Sequence, residues 1–77
     1  MVEFSKEIST DNLNKIYADY HRVKGKVRFG QLFMSVTGFE LPTGYKGGFD
    51  LWNERDTMKA YGVIFDYLWP LEAGIGA

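Results

Sequence analysis

The sequence predicts an all-α fold: a small single domain of three main helices, with a long glycine-rich loop between the second and third. Three observations predict it. Apolar residues recur at helical spacing in three separate segments. Capping residues stand before these segments, and glycine or proline stands after them. The one segment rich in β-formers, Val27 to Thr37, breaks period-two alternation, because Gln31 and Ser35 would share a face with Phe29 and Phe33.

Residues 1–8 read as an extended lead-in whose Val2, Phe4 and Ile8 tuck onto the core. Ser9-Thr10-Asp11 then signals a helix start, with a hydroxyl for the N-cap and an acid in the first turn. Leu13, Ile16, Tyr17, Tyr20 and Val23 lie on one helical face, and Gly25 is suited to a left-handed C-cap, so the first helix is expected over about 11–24. Phe29, Leu32, Phe33 and Val36 repeat the pattern before Gly38, giving a second helix over about 27–37.

The stretch from Glu40 to Phe49 contains Pro42 and three glycines and reads as a loop with a mobile middle, its ends anchored by Phe39, Leu41 and Phe49. Asp50 to Asn53 suits a single helical turn. Asp56 or Asn53 caps a third helix over about 56–68, which Pro70 is expected to stop, leaving 70–77 as a loose tail. The expected core is Leu13, Ile16, Tyr17, Tyr20, Phe29, Leu32, Phe33, Val36, Trp52, Tyr61, Ile64, Phe65 and Leu68.

Seventy-seven residues make one domain. A chain this short buries only roughly 60% of its surface on folding. Two Trp, five Tyr and six Phe compensate, since each aromatic buries on the order of 150–250 Å². The absence of Cys excludes disulfides, thiolate zinc sites and a cysteine nucleophile, and fits a reducing cytoplasm. No apolar run is long enough to span a membrane. The first residues lack the basic-then-apolar order of a signal peptide. A cytoplasmic protein without membrane contact is therefore expected.

Net charge is −1, but the charges are unevenly placed. His21 to Arg28 holds Arg22, Lys24, Lys26 and Arg28 without an acid, and the rest of the chain carries five basic against ten acidic residues. Four firm charges suit a modest phosphate grip. His21, Arg22, Lys24, Lys26 and Arg28 are thus the candidate residues of a nucleic-acid-binding alternative, set against the plain reading of a solvated helix end.

Three further features suit a protein partner. In the last helix Met58, Tyr61, Ile64, Phe65 and Leu68 make the main stripe, yet Ala60, Val63 and Tyr67 lie opposite it, and only Lys59 and Asp66 form a polar strip. A helix apolar nearly all round is buried on more than one side, either within the domain or against a partner. In the second helix Arg28, Gln31 and Ser35 share a polar sector beside Gly30, a residue that lets another backbone approach. The loop offers Tyr45 and Lys46 for adaptable contact, but lacks the spacing of a phosphate loop.

Catalysis has little to stand on. His21 is the single imidazole and Asp19 points elsewhere; Asp50, Glu54 and Asp56 lack the spacing of a calcium loop and suit capping. No enzyme activity, cofactor or metal is expected.

Arg28-Phe29-Gly30-Gln31-Leu32-Phe33, followed by Leu51-Trp52 and then Asp56 with Ala60, resembles small uncharacterised helical proteins common in bacteriophage genomes. Those carry an Arg-x-Gly-Gln turn of helix and a later aromatic–acidic segment before the final helix. The resemblance spans roughly residues 13–68, and the long glycine loop departs from the compact versions. It implies no reaction and no ligand. It implies only a context, a phage accessory protein acting in the bacterial cytoplasm. The doubly apolar last helix, the glycine-rich loop and the lack of chemistry are what point to a domain that docks on a host or phage protein, as an inhibitor of a host defence or metabolic system. A homo-oligomeric assembly component, such as a homodimer, is a third reading.

Overall fold

Ser9 begins the first helix in the computed structural model, which describes residues 4–22 and 27–74. The elements are α1 (Thr10–Asp19), a 3-10 turn (Tyr20–Arg22), α2 (Phe29–Thr37), a second 3-10 turn (Tyr45–Gly47) and α3 (Thr57–Glu72). The fold is all-α, and no strand occurs among the described residues.

The Ser9 hydroxyl accepts from the Asn12 N–H at 3.1 Å, satisfying one of the free donors at the start of α1. Buried Asn12 in turn donates its side-chain amide to the carbonyls of Ser5 and Glu7, both at 2.7 Å. The lead-in is therefore fastened by hydrogen bonds as well as by half-buried Phe4, whereas Ile8 stays exposed; Val2 lies outside the described residues. The first helix tightens at Tyr20, whose N–H bonds to Tyr17 three residues back, a common way for a last turn to end. The expected cap at Gly25 also lies outside the described residues.

α2 starts at Phe29, two residues after the expected bound of 27 and at the first residue of its apolar pattern, because Arg28 is extended and serves as the N-cap residue. The Gln31 side chain accepts from the Arg28 N–H at 3.4 Å. The reciprocal bond of a capping box does not form, since a guanidinium has no acceptor. Gly38 ends the helix at φ 76°, its N–H bonding to Met34 at 2.8 Å. Thr37 accepts from the Phe39 N–H at 3.2 Å and so turns Phe39 back into the core.

Gly30 has a steric reason. A Cβ there would overlap the Leu51 carbonyl oxygen and press on Leu51 Cδ1 at 3.1 Å. The chain after α2 thus crosses directly over the α2 backbone and delivers Leu51 into the core. Its neighbour Trp52 faces the other way and is 47% exposed, which corrects the expectation that Trp52 is core. Between these points the chain makes turns: Tyr45 N–H bonds to Pro42 and Gly47 N–H to Gly44, each at 3.0 Å.

Asp56 caps α3 by accepting from the Lys59 N–H at 3.1 Å. Pro70 does not stop the helix, contrary to the sequence expectation. It removes one N–H, but the ladder resumes with Ala73 N–H to Trp69 at 2.9 Å, and the last turn has a tertiary anchor. The Glu72 carboxylate accepts from both the backbone N–H and the hydroxyl of Thr10, each at 2.7 Å. A carboxylate at a helix N-terminus is favoured by the helix dipole. This clasp joins the end of α3 to the start of α1, so the two helices run antiparallel. Residues 70–72 are accordingly helical rather than part of a tail.

The core cluster is Leu13, Ile16, Phe29, Phe33, Phe39, Leu51, Ala60, Ile64 and Leu68. Tyr17, Tyr20, Leu32, Val36, Tyr61 and Phe65, expected in the core, pack around it half-buried. Every buried side-chain nitrogen and oxygen among the described residues has a hydrogen-bond partner, as a stable interior requires.

Candidate functional site

α3 is apolar on both faces, and its inward arc is shifted from the expected stripe: Ile64 and Leu68 are buried as expected, but Ala60 and Val63 join them and Met58 is left outside. Ala60 is 0% exposed and Val63 7%, so both belong to the interior with Ile64 and Leu68. Tyr67 is half-buried, its ring 5.6 Å from Phe39 and 5.3 Å from Tyr45. Ala60 and Val63 are therefore not partner-binding residues, which corrects that expectation, and Tyr67 spends its ring within the domain. The physical reason is volume. A close-packed interior between helices is filled by shape, and Ala60, Val63, Ile64 and Leu68 form a continuous arc of modest size. The predicted stripe was centred on the bulkiest side chains instead.

The outer face carries what the core left out. Met58 is 72% exposed and Trp69 49%. Phe65 lies between them, stacked on Trp69 with ring centres 5.9 Å apart and planes 8° from parallel, and on Tyr61 at 6.0 Å and 22°. The ladder continues inward through Tyr61 and Tyr17 at 4.8 Å to Phe29, which packs edge-on to Tyr17 at 5.4 Å. The Tyr61 hydroxyl donates to Asn14 on α1. Such pairs contribute about 0.5–1.5 kcal/mol each beyond burial, so exposed Trp69 is braced by half-buried Phe65 and Tyr61. Lys59 and Asp66 border the face, and Asp66 accepts from Lys46 at 3.1 Å, both side chains exposed.

The polar residues predicted for partner binding are mostly engaged locally. Arg28 reaches Asn53 at 3.4 Å, and Asn53 is braced by Asp50 at 2.7 Å. Gln31 caps its own helix. Ser35 is exposed one turn further along α2. Tyr45 and Lys46 sit apart from these, against Tyr67 and Asp66 on α3. The predicted set is thus split between two sides of the molecule. Of the basic window, Arg22 is exposed, Arg28 contacts Asn53, and Lys24 and Lys26 lie outside the described residues, as does the His21 side chain. Asp50 and Asp56 accept hydrogen bonds from Asn53 and Lys59 respectively, a capping use in both cases.

Two concavities stand out among the described residues. A groove of about 410 Å³ runs between α3 and the residues after α2, lined by Ile8, Phe39, Tyr67 and Leu71 with Glu40 and Glu72 at its edge. Its Glu72 is already committed to Thr10. A smaller one of about 250 Å³ lies beside Trp52, Met34 and Phe49. No helix among the described residues is long and apolar enough to cross a membrane. No known family, curated protein or solved structure matches the chain.

The outer face was legible in part. Met58 and Phe65 belong to the apolar stripe that the spacing predicts, but nothing in the spacing says which of two apolar arcs faces inward. The Glu72–Thr10 clasp had no local signal, because its partners are 62 residues apart.

Proposed function

We propose that this chain is a protein-binding accessory module that docks through the outer face of α3. The observation that carries this reading is the outer row of exposed Met58 and Trp69 with half-buried Phe65 between them, Trp69 being stacked on Phe65 and Phe65 on Tyr61. Rigid aromatic and Met side chains are enriched where proteins meet, since they offer large contact area at low ordering cost. Singly exposed apolar residues are ordinary, but a contiguous row on one helix face is a recognition surface. The resemblance to phage accessory proteins supports a phage setting in the bacterial cytoplasm, in which the docked partner is a phage or host protein; inhibition of a host system is one consequence such docking would have.

Photo-crosslinking in bacterial cells tests the reading. A photoreactive phenylalanine analogue in place of Met58 is expected to give a discrete protein adduct, and the same analogue in place of Ser35 is expected to give none. Equal labelling at both positions, or none at Met58, overturns it.

A further inference from the structure

Met58, Gly62, Phe65 and Trp69 follow one another at steps of four, three and four residues, the spacing of a stripe that packs against another helix. Gly62 sits in the middle of this stripe, and a Cβ built on it meets nothing within 4 Å. Glycine inside a helix is disfavoured by about 1 kcal/mol relative to Ala. Gly30 is required by the Leu51 backbone; no contact among the described residues requires Gly62. Lys59 and Asp66 flank the stripe on the same side, two turns apart and opposite in charge. Lys59 has no ion-pair partner among the described residues, and Asp66 has only the exposed Lys46.

We infer that the occupant of this face is a second copy of the chain, packed with α3 antiparallel to α3 about a two-fold axis near Val63 and Ile64. This rests on the protein-binding reading of the same face. A two-fold interface must be self-complementary, and this one is so in both shape and charge. With the axis there, Gly62 faces the partner's Phe65 and Met58 faces the partner's Trp69, so a shallow site receives a bulky ring, twice. The same axis brings Lys59 beside the partner's Asp66, offset along the helix by about 3 Å at 1.5 Å per residue, again twice. A parallel two-fold pair would carry the partner's Lys59 and Asp66 to the opposite side of the seam and leave these charges without a counterpart, so the charge pattern favours the antiparallel arrangement. The Lys46–Asp66 pair is no obstacle, because an exposed ion pair exchanges partners at little cost. Four seam positions make a small interface, so the dimer is weak and concentration-dependent.

Sedimentation equilibrium of the full chain across a wide concentration range, with circular dichroism to verify helix content, tests the inference. The wild type is expected to pass from monomer to dimer. Lys59→Glu and Asp66→Lys are each expected to weaken the dimer about tenfold, by losing two ion pairs and adding like-charge contacts. The double variant K59E/D66K is expected to restore it, and an equimolar mixture of K59E with D66K is expected to form heterodimers. Gly62→Gln, a better helix former, is expected to raise the melting temperature of the dilute monomer while weakening the dimer, a combination that misfolding does not produce.

A wild type that stays monomeric overturns the second copy as occupant; if Met58 then still crosslinks to a different protein, the protein-binding reading survives alone. A dimer that ignores both single charge reversals, or is not restored in the double variant, overturns the antiparallel arrangement and with it the inference.

Discussion

The two faces of α3 have nearly the same hydrophobic character and opposite fates. Ala60, Val63, Ile64 and Leu68 are sealed in the core, while Met58 and Trp69 on the other side meet solvent and Phe65 is half-covered. Apolar identity therefore does not decide which face turns inward. The interior between α1, α2 and α3 has a fixed and small volume, and the arc that fills it without gaps is the one with small and aliphatic residues. The larger aromatic residues stay at the margin, where they stack on one another and on Tyr61.

Substitutions that act on one face at a time sharpen this contrast. The largest effect is expected at Ile64. Ile64→Ala empties a site that is fully enclosed and is expected to lose roughly 2–5 kcal/mol of stability, read from the denaturant midpoint. Trp69→Ala on the outer face is expected to change the monomer far less. Comparable losses at the two positions would abolish the distinction between the faces.

Next comes the pair of mid-helix glycines. Gly30→Ala is expected to destabilise by roughly 1–3 kcal/mol, because its methyl group meets the Leu51 backbone rather than a side chain that can swing aside. Gly62→Ala places the same methyl in open space and is expected to stabilise the dilute monomer by up to about 1 kcal/mol. Thermal melts of the two variants should move in opposite directions. A shared direction would mean that Leu51 does not cross α2 as described.

A smaller effect is expected where α3 ends. Glu72→Ala removes both bonds to Thr10 and is expected to lose roughly 1–2 kcal/mol, discounted for its exposure. Hydrogen exchange should show the loss concentrated in the first turn of α1 and the last turn of α3. Uniformly faster exchange would argue against a local clasp.

Much of the fold was readable in the residues. Ser9 and Asp56 as N-caps, Gly38 as a C-cap, and the inward faces of α1 and α2 through Leu13, Ile16, Phe29 and Phe33 all follow from local chemistry at helical spacing. Gly30 was recognised as a point of close backbone approach, though not that Leu51 of the same chain makes it. The candidate site was less readable. Arg28 and Gln31 looked available for a partner because their spacing places them on a polar face, yet their actual contacts are Asn53 and the start of α2 itself. Ala60 and Val63 were assigned to the wrong side of a helix that is apolar all round.

The sequence by itself determined the number of helices, the chemistry that starts them, and the apolar character of both faces of α3. These are local properties, set within a few residues by propensity, capping and periodicity. The tertiary structure alone decided that α3 continues through Pro70, that Leu51 rather than Trp52 enters the core, and that Met58, Phe65 and Trp69 remain outside. Each depends on groups distant in sequence meeting in a confined volume: Glu72 with Thr10, Leu51 with Gly30, and Ala60 with the core cluster. Local spacing carries no record of such meetings, because it measures distance along the chain and not the space that remains between helices.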